Sequence, residues 1–211
     1  MDSKSYIEQC KAHELRIHTS RSKLQYRRDQ IVVEIEVAFK NVTRKGGISL
    51  AEVESLDAGA SEAICKRIRE SQRDKHWAEV DLRKHDPYGS GICFLDPIGF
   101  RYHLPAYMID LLTKGYHIID QSQPDEWMGH EIIIYRLCDT TRDGRESYSL
   151  LNATQRTCVA RLLAFEVELL TTLYFDNVPD DSFVALKNYW LEHLPQADKL
   201  HLESIWPGCF N

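Results

Sequence analysis

Apolar positions recur along most of this chain at helical spacing. From Arg27 to Val42, the residues Ile31, Ile35, Ala38, Phe39 and Val42 share one face. That spacing predicts an amphipathic helix, closed by the pair Gly46–Gly47. Ser49 then opens S-L-A-E, a capping box with Glu52 that starts a short helix through Leu56. Ser61 to Arg73 sets Ile64 and Ile68 on one face with many charges opposite, the pattern of a surface helix. Trp77, Val80 and Leu82 mark a short element, and Pro87, Gly89 and Gly91 break the pattern into a loop.

The second half begins with LDPIGFRYHLPAYM, residues 95–108. Asp96–Pro97 followed by Gly99 is a turn signal. Phe100 and Tyr102 alternate with Arg101 and His103, which predicts a short extended segment. Pro105 suits the first turn of a helix that carries Tyr107, Met108, Leu111 and Leu112 and ends at Gly115 in the left-handed conformation. Glu131 to Leu137 (EIIIYRL) is rich in β-branched residues and predicts a strand, and Thr140 to Ser147, with Asp143–Gly144, reads as a turn or loop. Asn152 opens N-A-T-Q, a second capping box with Gln155, ahead of the longest helix, to about Tyr174. Its stripe is Val159, Leu162, Leu163, Leu169, Leu170 and Leu173. A last helix, capped by Asp180, Asp181 or Ser182, carries Phe183, Leu186, Tyr189, Trp190 and Leu194 inward and stops at Pro195. The fold class that follows is mainly α: a bundle-like single domain with at most a small β element near residues 131–138. Residues 1–27 form an N-terminal helical extension and 28–211 the globular domain.

Composition narrows the class. The chain has 211 residues, 43% hydrophobic and 27% charged, which suffices for a core without staples. No apolar run approaches the roughly 20 residues needed to span a bilayer, so no membrane is expected. The first fifteen residues lack the apolar core of a signal peptide, which points to the cytoplasm. Six cysteines are scattered with no two closer than 20 residues, so no CxxC-type pair exists to ligate zinc or run redox chemistry. Buried thiols in a reducing compartment are the expectation.

The net charge of −6 is uneven. Residues 1–45 hold ten Lys/Arg against six Asp/Glu, whereas residues 146–211 hold nine acids against four bases. An acidic face argues against nucleic acid as the main ligand and for a cationic protein partner. Glu166, Glu168, Asp176, Asp180 and Asp181 are its expected members.

Catalytic chemistry has fewer supports. Asp96, His103 and Tyr107 are residue types that serve as acids and bases. No nucleophile elbow or Cys–His pair accompanies them. His130–Glu131 begins like a zinc-binding HExxH, but Ile134 stands where the second histidine belongs. Asp139, Thr141, Asp143 and Gly144 imitate a calcium loop, with Leu150 in place of its bidentate glutamate. No phosphate-binding glycine loop occurs. No metal and no cofactor are therefore expected.

The segment LDPIGFRYHLPAYM, after VAFKNV and before LNATQRTCVARLLAFE, resembles an uncharacterised bacterial domain family. That family carries an Asp-Pro-Gly-Phe turn and a YLPAYM-like segment. The resemblance spans about residues 28–195 and implies a fold unit without a mechanism. The functional expectation is a non-catalytic interaction module, an immunity or antitoxin-like protein that neutralises a basic toxin such as a nuclease. The alternative is an enzyme with a site near Asp96, His103 and Tyr107.

Overall fold

Leu24, Ile31, Ile35 and Phe39 form a buried stripe along one side of α1 (Ser3–Phe39) in a computed structural model of the chain. The structure describes residues 3–72, 74–120, 123, 125, 127–174 and 180–207. α1 crosses residue 27 without a break, so the N-terminal stretch and the domain share one helix. It lies against α9 (Ala153–Tyr174), whose Val159, Ala160, Leu162, Leu163, Ala164 and Phe165 are buried nearly all around the helix. A helix buried on nearly every side belongs at the centre of a domain, and α9 occupies that place. α10 (Asp180–Ala185) and α11 (Gln196–Ile205) cover its other flanks. The fold is mainly α, as the periodicity implies, and the described residues contain no strand.

Both capping boxes form. The Asn152 side chain accepts the Gln155 backbone N–H at 2.9 Å while the Gln155 side chain accepts that of Asn152 at 3.2 Å. Ahead of α2 (Leu50–Asp57), Glu52 accepts from the Ser49 backbone N–H at 3.2 Å. Arg69 of α3 (Glu62–Ser71) then pairs with the buried Glu52 at 2.5 Å, tying the two short helices together. Tighter turns follow at Trp77–Glu79 and Ser90–Phe94, on either side of the short helix α4 (Leu82–His85).

Three local expectations are corrected. The extended segment at Phe100–His103 is helical, because α5 (Pro97–Asp110) begins eight residues earlier than Pro105 suggests. Asp96 caps it, accepting from Gly99 N at 2.8 Å, and Pro97 rather than Pro105 takes the first-turn position. Pro105 lies inside the helix, which costs about 3 kcal/mol. Full burial of Phe100, Tyr102, Leu104, Tyr107 and Met108 offsets this at about 1.5–3 kcal/mol per side chain. Gly115 ends a wide turn, Leu111–Gly115, and its φ is not positive. Its bareness serves proximity, since a Cβ there would press on the His130 ring and on Leu111.

The second correction is the strand at 131–137, which is helical within α7 (Gly129–Cys138). A strand needs a neighbour to complete its backbone hydrogen bonds, and the described residues hold no strand to supply one. A helix satisfies them locally, with Ile133 and Leu137 turned into the core. The third is the turn or loop at 140–147, most of which is α8 (Arg142–Ser147). Asp139 accepts from the Thr141 backbone at 3.1 Å, and the Tyr148 hydroxyl donates to the carbonyls of Arg136 at 2.5 Å and Asp139 at 3.0 Å. These bonds pull the segment into a closed turn.

Candidate functional site

Side chains of the residue 95–108 segment are bound up in the fold. The Asp96 carboxylate accepts from Gly99 N and, at 2.9 Å, from Ile48 N, which fastens the chain after α1 to the start of α5. Gly99 permits this approach, because a Cβ there would run into the Ile48 carbonyl. Tyr107 is fully buried and its hydroxyl donates to Asp86, whose Oδ2 also accepts from Gly91 N at 2.9 Å. His103 is fully buried with neither ring nitrogen hydrogen-bonded. Burial, with Arg44 and His85 nearby, pushes its pKa down to about 3, so the ring is neutral. Asp96, His103 and Tyr107 thus have separate surroundings and no hydrogen bond joins them.

The chemically richest recess is elsewhere. It has a volume of about 320 Å³ and opens where the Leu111–Gly115 turn, α7, α9 and α10 meet. Tyr116 and Glu166 form its floor, the Tyr116 hydroxyl donating to the Glu166 carboxylate. Burial raises Glu166 above the ordinary carboxylate value, with the Tyr116 bond opposing it, and burial likewise raises the Tyr116 hydroxyl. Glu131, Tyr135 and Asp181 stand at the lip, all exposed, with Tyr135 at 69%. Among the described residues neither Glu131 nor Asp181 makes an ion pair, and no lysine or arginine lines the recess.

His130 forms one wall and is held from behind. Its Nε2 lies 2.8 Å from Asp110 Oδ2. Asp110 also receives Arg83 at 2.5 Å and Lys114 at 2.8 Å. Burial alone would raise the Asp110 carboxyl, but hydrogen bonds from His130, Arg83 and Lys114 hold it well below the usual range. Arg83 bonds Asp125 as well and sits over the Trp127 ring, 4.2 Å from its centroid. Asp110, Asp125 and His130 offer ligand atoms within 4.8 Å of one another, a set able to hold a divalent ion. Arg83 already bonds both carboxylates, so a metal would have to displace a guanidinium. The network reads as a staple joining α4, α5, residue 125 and α7.

The expected acidic face divides. Glu166 and Asp181 line the recess. Glu168 faces inward, 2.8 Å from Arg27 and 2.8 Å from His201. Asp180 begins α10, and Asp176 lies outside the described residues. Sequence reasoning missed Tyr116 and His130. The His130–Glu131 pair was a signal for this place, but of a metal motif; Tyr116, at the end of a turn, gave none.

A family model covers residues 27–194, from the last third of α1 through Leu194. The chain belongs to DUF6714, a family of unknown function. The DUF6714 region contains the whole recess and the Asp96 cap, and it leaves α11 and residues 3–26 of α1 outside. No curated protein and no solved structure matches the chain. Among the described residues no helix is long and apolar enough to cross a membrane.

Proposed function

We propose that this DUF6714 chain is a protein-interaction module whose acidic recess receives a lysine or arginine side chain of a cationic partner. The reading is that of an immunity or antitoxin-like protein occluding a basic surface, such as the active site of a nuclease toxin. The observation that carries it is the lining: among the described residues three carboxylates, Glu131, Glu166 and Asp181, with two tyrosines and no lysine or arginine. A guanidinium or ammonium entering there gains charge-assisted hydrogen bonds in a partly desolvated setting. Among the described residues Glu166 has one donor, the Tyr116 hydroxyl, which leaves lone pairs for an incoming cation. Exposed Tyr135 supplies an aromatic contact at the edge, a residue type that anchors interfaces.

The test begins with capture of partners from the native host by wild type and by the double variant Glu131→Lys, Asp181→Lys. Stopped-flow association with the captured partner follows, across a salt series. The expected result is an on-rate that falls as salt rises and is at least about 10-fold slower for the variant at low salt. Equal on-rates for the two proteins at low salt would remove the recess from the interface.

A further inference from the structure

A second hollow is built from different elements and has a different chemistry. It has a volume of about 240 Å³ and lies between α2 and the Asp86–Phe94 segment. Leu50 and Val53 give it an apolar floor. Tyr88 and Phe94 line it while remaining 76% and 53% exposed. Scattered exposed apolar side chains are normal on protein surfaces. Two aromatic rings on one hollow, beside an apolar floor, are a more specific arrangement.

Glu54 and Asp57 also line it, both exposed. They stand three residues apart on α2, and among the described residues neither is ion-paired. His85 is also on the wall, but among the described residues no lysine or arginine is. An aromatic face attracts a cation through its quadrupole, and carboxylates nearby add Coulombic attraction. The apolar floor favours a cation that carries its own hydrocarbon surface. The volume falls below the roughly 300–1,000 Å³ of sites for drug-sized ligands, so it suits one small head group.

We propose that this hollow binds the alkylammonium head of a small organic cation, with a quaternary amine preferred over a primary one. A primary ammonium is strongly hydrated and must shed that water to sit on apolar side chains, whereas a trimethylammonium presents methyl groups. The inference does not rest on the recess at α7, and no residue of that recess lines this hollow.

Choline is the probe, titrated into the full-length chain labelled with nitrogen-15. Saturable shifts are expected at amides of residues 50–57 and 85–94, in the millimolar range. The neutral isostere 3,3-dimethyl-1-butanol has the same shape without the charge and is expected to bind at least about 10-fold more weakly. N-acetyl-lysine amide, the primary ammonium arm, should also bind more weakly than choline. Tyr88→Ala and Phe94→Ala should each weaken choline by about 2- to 30-fold, the range a cation–π contact supplies. Tyr88 is so exposed that its variant keeps the fold, which thermal melts verify. The proposal is overturned by absence of saturable choline shifts, by equal affinity for the alcohol, by tighter binding of the lysine amide, or by unchanged affinity in both variants.

Discussion

Two tyrosine–carboxylate pairs in this molecule share a chemistry and differ in everything around it. Tyr107 donates to Asp86 inside the core, where the tyrosine is fully buried and the aspartate nearly so. Burial raises the Asp86 carboxyl, and besides the Tyr107 hydroxyl the backbone N–H groups of Gly91, Gly89 and Ser90 oppose that rise. Tyr116 donates to Glu166 at the floor of an open recess, where burial raises the carboxyl and the tyrosine alone opposes it. Asp86 has its lone pairs spent on the loop it organises. Glu166 has acceptor capacity left, on a side that a ligand can reach. The residue type is therefore a poor guide to function, and the number of internal donors is a better one.

Removing the Tyr107 side chain should produce the largest effect. Tyr107→Ala is expected to cost about 3–5 kcal/mol in urea unfolding, as for other large-to-small core changes. A loss below about 1 kcal/mol would break the view of residues 95–108 as buried scaffold. The same segment should also respond to acid. His103 is neutral in the folded chain and its pKa is pushed down to about 3, whereas an unfolded histidine titrates near 6.5. Between those values the unfolded state binds a proton that the folded state refuses, so stability falls as pH drops below about 6.5. From pH 7.5 to pH 5 this one residue should remove about 2 kcal/mol. Comparison of wild type with His103→Leu over that interval isolates it, since the other titrating groups are common to both. A variant with the same pH slope as wild type would show that His103 is protonated or hydrated when folded.

Deleting only the hydroxyls sharpens the contrast between the two pairs. Tyr107→Phe leaves a buried carboxylate short of a donor and should cost about 1–3 kcal/mol. Tyr116→Phe lets Glu166 turn to the water of the recess, at a cost under about 1 kcal/mol. Equal losses, read from denaturation midpoints at constant slope, would erase the distinction. The smallest effect on stability belongs to Glu131→Lys with Asp181→Lys, within about 0.5 kcal/mol in total because both are exposed and unpaired. Thermal melts of that variant check that any loss of partner association comes from charge and not from unfolding.

Thiol reactivity tests the core assignment independently. Burial pushes Cys138 and Cys158 up to about 12, and Cys65 is fully buried. These three should label slowly with a maleimide under native conditions and fast in urea, followed by mass spectrometry.

The elements written into the sequence are those whose cause is local. The stripe of α1, the capping boxes at Ser49 and Asn152 and the extent of α9 depend on residues within a turn or two of each other, and they formed as the spacing implies. Asp96–Pro97 was legible as the start of something, but whether a turn or a helix follows depends on Ile48, which comes from another part of the chain to share the Asp96 carboxylate. The isoleucines of α7 favour a strand only if a partner strand exists, and that is a property of the whole fold. The candidate recess was legible in part, through Glu166 and Asp181 as acidic positions. Glu168, two residues from Glu166, turns inward to Arg27 and His201, separations of 141 and 33 residues that no periodicity encodes. Tertiary packing decided which carboxylates were consumed and which were left open, because a charge near the core keeps its place only where an opposite charge or donor meets it.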